Sequence, residues 1–296
     1  MKLGWGTYFG EVTVLEVIKK STEFLEKKGV ESPRLQVELL LAHTMGVQRM
    51  GLYLNFEKEL TSAQLDQVRE QVRRRGQREP LQHIVGSTSF CGLEIAVDRR
   101  VLVPRPETEL LAEMGWEFLN GAGSCPPAGL DFGTGSGCLA IALAVKCPAA
   151  RVTAVDVSVD ALALAKENAA RNGAGERIEF VQGDGFAAVK AGSRFDLLVA
   201  NPPYVASAEI ATLEPEVRDY DPHLALNGGE EGLDFYRRLA AEAGEFLRPG
   251  GKIMLELGDG QAGAVEKMFA GEKWIVEGVR ADYSGRLRIL TARREG

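Results

Sequence analysis

The stretch Asp131-Phe-Gly-Thr-Gly-Ser-Gly137 stands between an apolar segment that ends at Phe132 and a second one that begins at Cys138. Because glycine has no Cβ atom, glycines at alternate positions let the backbone bend sharply and let a ligand approach the main chain. The flanking segments are typical of a buried strand and a buried helix. The stretch therefore predicts a strand, a ligand-binding turn and a helix, which together form one unit of an α/β fold.

Strand and helix patterns alternate from Pro106 to the end of the chain. Helices are predicted over residues 107–119, 161–171 and 233–247, the last of them ended by Pro249-Gly250-Gly251. Strands are predicted over residues 151–157, 177–182, 195–200, 252–257, 274–279 and 286–291. A parallel neighbour can be reached only through a crossover, so the alternation predicts a doubly wound, mostly parallel sheet with helices on both faces.

The residues before Pro106 have a different pattern. Apolar residues recur at helical spacing between residues 11 and 76, where Ser32 and Thr61 are the predicted N-caps of two helices. Apolar residues then alternate around Gly92, and again after the turn signal Asp98-Arg99-Arg100, which together predict a β-hairpin. These patterns predict three segments: a helical domain over residues 1–82, a β-hairpin linker over 83–105 and an α/β domain over 106–296.

The composition is that of an ordinary globular protein, with 45% hydrophobic and 26% charged residues. The formal net charge of −7 argues weakly against a surface built for the phosphate backbone of a nucleic acid. The four cysteines form no Cys-x-x-Cys pair and the three histidines are far apart, so neither a metal site nor a disulfide framework is predicted. No apolar run approaches the ~20 residues that span a bilayer, and Met1–Gly10 lacks the apolar stretch of a secretory signal, so the expected compartment is the cytoplasm.

Two aspartates follow the next two predicted strands. Asp156 comes 19 residues after Gly137, at the end of a strand, where a carboxylate can accept hydrogen bonds from both hydroxyls of a ribose. Asp184 is placed either to accept from an adenine amino group or to be a solvated turn residue. The Gly-x-Gly-x-Gly spacing differs from that of dinucleotide-binding loops, and no Walker lysine follows. The turn is therefore predicted to bind a nucleotide-like ligand, and the alternative is a glycine-rich turn that binds nothing.

The tetrapeptide Asn201-Pro-Pro-Tyr204 directly follows the predicted strand 195–200. Two successive prolines have no N–H group and a fixed φ, so the backbone after Asn201 is stiff and the carbonyl of Pro202 is left as a free acceptor. The pattern predicts a rigid acceptor beside a rigid amide. A plain proline turn at the end of a strand is the alternative.

Together, the glycine motif, Asp156 and the tetrapeptide resemble the class I S-adenosylmethionine-dependent methyltransferases that act on planar amino groups. Three further stretches, 34–46, 103–109 and 221–229, resemble the glutamine-N5 methyltransferases of peptide chain release factors, and this resemblance runs from about Ser32 to the last strand. It implies a seven-stranded Rossmann-like sheet. It also implies methyl transfer from S-adenosylmethionine, which leaves S-adenosylhomocysteine, to the glutamine amide in the Gly-Gly-Gln loop of class I release factors.

The resemblance also implies which residues bind and react. The residues expected to bind the cofactor are Gly133, Thr134, Gly135, Ser136, Gly137, Asp156, Asp184, Gly185 and Asn201. Those expected to bind the substrate glutamine are Asn201, Pro202, Pro203 and Tyr204, and the expected catalytic residues are Asn201, Pro202 and Tyr204. Members of the family often have an aromatic residue directly after the acid, where this chain has Gly185, so stacking on adenine would fall to Phe186 or be absent.

An amide nitrogen is a poor nucleophile because its lone pair is delocalised, so geometry has to compensate. If the side-chain oxygen of Asn201 and the carbonyl of Pro202 each accept one N–H of the substrate, the nitrogen lone pair is aimed at the methyl group. The same acceptors stabilise the positive charge that develops on nitrogen. Tyr204 is expected to stack on the flat amide and to exclude water, and no general base is assigned.

Several interpretations stay open on the sequence alone. Spacing gives no role for Arg105. A basic cluster is interpreted as a solvated helix end, with a partner or nucleic-acid contact as the alternative; it consists of Arg69, Arg73, Arg74, Arg75 and Arg78. A nucleic-acid adenine-N6 methyltransferase is the main competing function, and a binding module without activity is a second one. The expected partners are class I release factors docked on the helical domain, with no membrane and no stable nucleic-acid binding.

Overall fold

The computed structural model describes residues 12–294, so the interpretation of Met1–Gly10 lies outside the described residues. The chain divides into two compact units. The first is the chain up to Gly86 together with Glu214–Tyr220, and the second is Ser87–Leu213 together with the chain from Asp221 onward. Within the described part, no helix is long and apolar enough to cross a membrane.

Helices and strands are numbered in chain order. The helices are α1 (Val14–Glu26), α2 (Pro33–Met45), α3 (Arg49–Tyr53), α4 (Ser62–Arg75), α5 (Leu81–Val85), α6 (Pro106–Gly121), α7 (Cys138–Lys146), α8 (Val159–Arg171), α9 (Pro215–Arg218), α10 (His223–Leu226), α11 (Asp234–Glu242) and α12 (Ala262–Gly271). The strands are β1 (Ser87–Phe90), β2 (Leu93–Ala96), β3 (Ala128–Phe132), β4 (Arg151–Asp156), β5 (Ile178–Gln182), β6 (Phe195–Ala200), β7 (Leu247–Glu256), β8 (Trp274–Ala281) and β9 (Leu287–Arg294).

The first unit is built from α1–α5 and α9. Thr61 caps α4 as predicted: its hydroxyl accepts from the Gln64 amide, and the Gln64 side chain accepts from the Thr61 amide. Ser32 occupies the N-cap position of α2 as predicted, but it adopts a left-handed conformation with φ 46° and its side chain makes no capping hydrogen bond. Pro33 begins α2, since its fixed φ already suits the first helical turn. The core of this unit contains the buried residues Val17, Leu25, Leu40, Leu41, Leu52 and Val72.

The interpretation of the arginine cluster as a solvated helix end is wrong for two of its members. Arg75 is only 3% exposed and donates to Glu216 at 2.6 Å, and Arg78 donates to the same carboxylate at 2.6 Å. These ion pairs lie within the first unit and hold α9 at the C-terminal end of α4. The other arginines pair with acids close in sequence; they are Arg69, Arg73 and Arg74.

The second unit contains a seven-stranded sheet in the order β5-β4-β3-β6-β7-β9-β8. The first five strands in this order are parallel, and β9 is antiparallel to both β7 and β8. The predicted doubly wound, mostly parallel seven-stranded sheet is confirmed. The chain builds outward from β3 through β4 to β5 on one side and from β6 to β7 on the other. The strand order therefore reverses between β3 and β6, and at such a switch point the following loops separate and leave a crevice.

The sequence-based prediction of a helix that continues to residue 247 is wrong. The helix α11 ends at Glu242 and is followed by a short 3-10 turn, and β7 begins at Leu247. Leu247 pairs with Phe195 in β6, and the register then shifts so that Lys252 pairs with Leu197. Pro249-Gly250-Gly251 therefore lies at an irregularity inside the strand β7 and does not end a helix. Proline and glycine are tolerated at such irregularities, because the ladder of hydrogen bonds is interrupted there.

The hairpin is present, but its turn lies earlier than predicted. β1 and β2 pair antiparallel through Cys91 and Gly92, which have φ values of 52° and 77°. The turn predicted at Asp98-Arg99-Arg100 is not followed by a strand. Val101 and Val103 are instead buried as loop residues, each 1% exposed. Their alternation reflects burial of two side chains without strand pairing.

Candidate active site

A cavity of about 420 Å³ lies at the carboxyl ends of β3, β4 and β6, within the second unit. Ten of the twelve predicted site residues line it: Gly133, Thr134, Gly135, Ser136, Asp156, Asp184, Gly185, Asn201, Pro202 and Pro203. The other two, Gly137 and Tyr204, do not line it. The switch point of the sheet therefore brings the glycine motif and the tetrapeptide to one site.

Asp156 ties the glycine turn to the end of β4. The amide of Gly135, whose φ of 54° suits glycine, donates to Asp156 Oδ2 at 2.8 Å, and the amide of Ser158 donates to Oδ1 at 2.9 Å. A carboxylate oxygen has more than one acceptor site, so both oxygens can accept a further hydrogen bond. Gly137 has a packing role instead, because a Cβ atom there would lie 3.1 Å from the Cβ atom of Ala165 in α8.

Asp131 fixes the glycine turn from behind. It is fully buried in β3, and its Oδ2 accepts from the Thr134 hydroxyl at 2.6 Å and from the Ala140 amide at 3.1 Å. Burial raises the pKa of the Asp131 carboxyl to about 7. Asp131 opens the glycine motif in the sequence, but the spacing of the motif predicts no role for its side chain.

Asp184 and Gly185 line another part of the cavity. Arg238 donates to both the carboxylate and the backbone carbonyl of Asp184, so part of its acceptor capacity is already used. A Cβ atom on Gly185, which has φ 57°, would lie 2.7 Å from the ring of Phe132. Phe186 is buried against the same ring, with centroids 4.9 Å apart, and does not line the cavity. Phe132 lines the cavity in its place.

Asn201 follows β6 and is connected to two buried side chains. Its Nδ2 donates to Thr108 Oγ1 at 3.2 Å, and Thr108 Oγ1 donates to Glu256 Oε2 at 2.6 Å. Thr108 and Glu256 are each 2% exposed, and burial raises the pKa of Glu256 to about 7. Because the nitrogen of the Asn201 carboxamide is engaged, its oxygen is the end that is available to a ligand. Neither Thr108 nor Glu256 was predicted as a site residue, and the only signal for Thr108 was the resemblance of residues 103–109.

Tyr204 differs from the other residues of the tetrapeptide because it packs against the hydrophobic core of the sheet. Its backbone carbonyl accepts from Gln261 Nε2 at 2.9 Å. Burial raises the pKa of the Tyr204 phenol to about 12. The contacts of Tyr204 anchor the tetrapeptide, and its stacking on a substrate amide stays a prediction.

Arg105 lines the cavity, a position that spacing alone did not reveal. It donates to Asp221 Oδ2 at 2.8 Å, and the side chain of Asp221 is fully buried. Burial raises the pKa of Asp221 to about 6, although the charge of Arg105 acts in the opposite direction. The buried carboxylate therefore holds a guanidinium beside the cavity. Among residues 12–294, no group of histidine, cysteine, aspartate and glutamate side chains could hold a metal ion.

Two family models match the chain. The PrmC N-terminal domain matches residues 16–86, and the methyltransferase small domain matches residues 122–217. The second match includes the glycine turn, Asp156 and the tetrapeptide. The two matches therefore fall on the helical part of the chain and on the part that supplies the cavity.

Two curated relatives align with most of the chain. The release factor glutamine methyltransferase of Geobacter sulfurreducens is 46% identical over 258 residues, which cover 87% of this chain and 88% of the relative. That of Deinococcus radiodurans is 41% identical over 95% of this chain and 98% of the relative. Among solved structures, a methyltransferase from Pyrococcus furiosus aligns with a TM-score of 0.50 at 23% identity, over 69% of this chain and 90% of that one. At that identity the structural likeness supports the fold alone.

Proposed function

The chain belongs to the family of release factor glutamine methyltransferases, and we propose on this basis that its cavity is the place where a glutamine amide of a class I peptide chain release factor receives a methyl group. The chain is a protein-glutamine methyltransferase that uses S-adenosylmethionine and releases S-adenosylhomocysteine. The observation that carries the assignment of the site is the Asn201 carboxamide, whose nitrogen is engaged by Thr108 and whose oxygen is left for a substrate.

The residues of the cavity suit S-adenosylmethionine. Its volume of about 420 Å³ is within the range of small-molecule sites. Asp156 has acceptor capacity for two ribose hydroxyls, and the glycine turn presents main chain without Cβ atoms at positive φ. When bound, the cofactor supplies an electrophilic methyl group on a sulfonium. Asp184, Gly185 and Phe132 would border the adenine.

Asn201 and Pro202 orient the substrate. An unmodified glutamine amide has two N–H donors, and the Asn201 Oδ1 atom and the Pro202 carbonyl are two acceptors on adjacent residues that line the cavity. Accepting both N–H groups holds the amide in one orientation and favours the charge that develops on its nitrogen. The nitrogen that gains the methyl group gives up one of its two N–H protons to solvent. The release factor provides the Gly-Gly-Gln loop, and we propose that the rest of it docks on the first unit. Because release factors act on ribosomes, the proposed compartment is the cytoplasm.

The reaction is tested by incubating the full chain with methyl-labelled S-adenosylmethionine and a purified class I release factor. We expect peptide mass spectrometry to locate the label on the glutamine of the Gly-Gly-Gln loop. In the Asn201→Ala variant, turnover should be lost while the cofactor affinity measured by calorimetry stays close to that of the wild type, because the glycine turn and Asp156, which supply most of the predicted cofactor contacts, are unchanged. Label on added nucleic acid would favour the adenine-N6 alternative, which the relatives do not favour, and equal loss of turnover and cofactor affinity would contradict the role given to Asn201.

A further inference from the structure

The carboxamide of Asn201 can point in two ways that occupy almost the same space. In one, Oδ1 is available to the substrate and Nδ2 points to Thr108; in the other, the two atoms are exchanged. Only the first suits the proposed reaction, because a substrate N–H needs an acceptor and Nδ2 is a donor. The site therefore needs a group that selects one of the two orientations.

The Thr108 hydroxyl cannot make this selection by itself. A hydroxyl both donates and accepts, so it could accept from Asn201 Nδ2 or donate to Asn201 Oδ1. An ionised carboxylate can only accept. With Glu256 Oε2 at 2.6 Å, the Thr108 proton is directed to Glu256 and only acceptor capacity remains for Asn201. The buried carboxylate of Glu256 thus fixes the direction of both hydrogen bonds: Thr108 donates to Glu256, and Asn201 donates to Thr108.

Thr108, Asn201 and Glu256 belong to three elements that meet at the carboxyl ends of β6 and β7. Thr108 lies in the first turn of α6, Asn201 follows β6, and Glu256 ends β7, the strand that pairs with β6 up to Ala200 and Leu255. All three belong to the second unit. Charged residues that act on Glu256 are Arg288, Glu107 and Arg105.

We propose that Glu256 is a positioning residue that acts through Thr108 to keep Oδ1 of Asn201 turned to the substrate. This proposal rests on the proposed function of Asn201. Glu256 contacts neither the substrate nor the cofactor. It affects the rate of methyl transfer only through the orientation of the Asn201 carboxamide. Its loss should lower kcat for the release factor, with little change in the affinity for S-adenosylmethionine.

A double-mutant cycle tests the proposal at about pH 8.5, where the Glu256 carboxyl is mostly ionised. Thr108→Val removes the hydroxyl with little change of shape and should lower kcat about tenfold or more. Glu256→Gln should lower it by a similar factor. The double variant should be no worse than the poorer single one, because the two residues act in series. Thr108→Ser, which retains a hydroxyl, should recover most of the loss.

Thr291→Val is the matched control, because Thr291 is also buried and its hydroxyl has no hydrogen-bond partner within the described residues. Its kcat should match the wild type. Unchanged kcat in Thr108→Val, or losses that multiply in the double variant, would overturn the proposal. Melting temperature and cofactor affinity, measured on every variant, identify a loss of kcat that comes from misfolding.

A measurement on the wild-type chain is independent of how the variants fold. In a sample with isotope-labelled asparagine and threonine methyl groups, the Asn201 Nδ2 protons should show a nuclear Overhauser contact to the Thr108 methyl group. Absence of this contact would overturn the proposal. Failure of the wild type to methylate a release factor would instead contradict the proposed function, and the contact would still report on the orientation of Asn201.

Discussion

Asp156 serves the fold and the proposed ligand with the same two oxygens. Its hydrogen bonds from Gly135 and Ser158 join the glycine turn to the start of the next helix. A ribose would use the remaining acceptor capacity. Loss of this carboxylate should therefore lower the affinity for the ligand. Both ribose hydroxyls and the Gly135 amide of the glycine turn would lose their acceptor together.

We expect Asp156→Ala to lower the affinity for S-adenosylmethionine by about tenfold or more, since hydrogen bonds to a charged group contribute about 1.5–3 kcal/mol each. Calorimetric titration of the full chain measures this. Asp160→Ala, in the exposed first turn of α8, is the control and should bind as the wild type does. An unchanged affinity of Asp156→Ala would remove the residue from the ribose site.

The ring of Phe132 leaves no room for a side chain at position 185. We expect Gly185→Ala to lower the free energy of unfolding by about 1–3 kcal/mol, because alanine is strained at φ 57° and its Cβ would lie 2.7 Å from the Phe132 ring. Denaturant titration measures the loss. Gly263→Ala, in α12 with no atom near the added carbon, should be neutral or slightly stabilising. Equal stability of the two variants would exclude the clash.

The elements differ in how far their own sequence determines them. The cap of α4 was predicted correctly because Thr61 and Gln64 are three positions apart and their hydrogen bonds are local. The start of β7 was missed because it depends on pairing between Leu247 and Phe195, which are remote in sequence. The glycine turn and the tetrapeptide were recognisable as contiguous motifs. Thr108 and Glu256 were not, since they are 148 positions apart and only the folded sheet joins them.

The helix α3 and the residues after it expose apolar side chains on the first unit. Met50 is 65% exposed and Leu54 is 89% exposed. We expect Met50→Glu with Leu54→Glu to raise KM for the release factor about tenfold or more and to leave kcat unchanged, because burying a leucine side chain contributes about 1.5–3 kcal/mol. Leu15→Glu, at a 48% exposed position of α1, is the control. Steady-state kinetics with an unchanged KM in the double variant would exclude this face as the docking surface.

Three buried carboxyl groups give the whole molecule a pH-dependent stability. Burial raises the pKa of Asp131 and of Glu256 to about 7, and that of Asp221 to about 6. In the unfolded chain these groups have ordinary values near about 4. Between these limits the folded protein binds more protons than the unfolded chain, so the free energy of unfolding rises as the pH falls through this window. The pKa of Asp282 is lowered to about 2, so this group titrates below that pH window.

We therefore expect the urea midpoint of the ligand-free protein to be higher at about pH 5.5 than at about pH 8. The Glu256→Gln variant has one titrating group fewer and should show a smaller difference between the two midpoints. A midpoint that falls on acidification within this range would contradict the account of these carboxyls.

The chain passes between its two units three times, after Gly86, Leu213 and Tyr220. A fragment severed at residue 86 would keep α4 but lose Glu216, and the guanidinium of Arg75 would lose its counter-ion. The first unit therefore cannot be removed or exchanged by cutting the chain at a single position. A chimaera that exchanges it for the corresponding part of a relative would have to exchange the distant Glu214–Tyr220 segment as well.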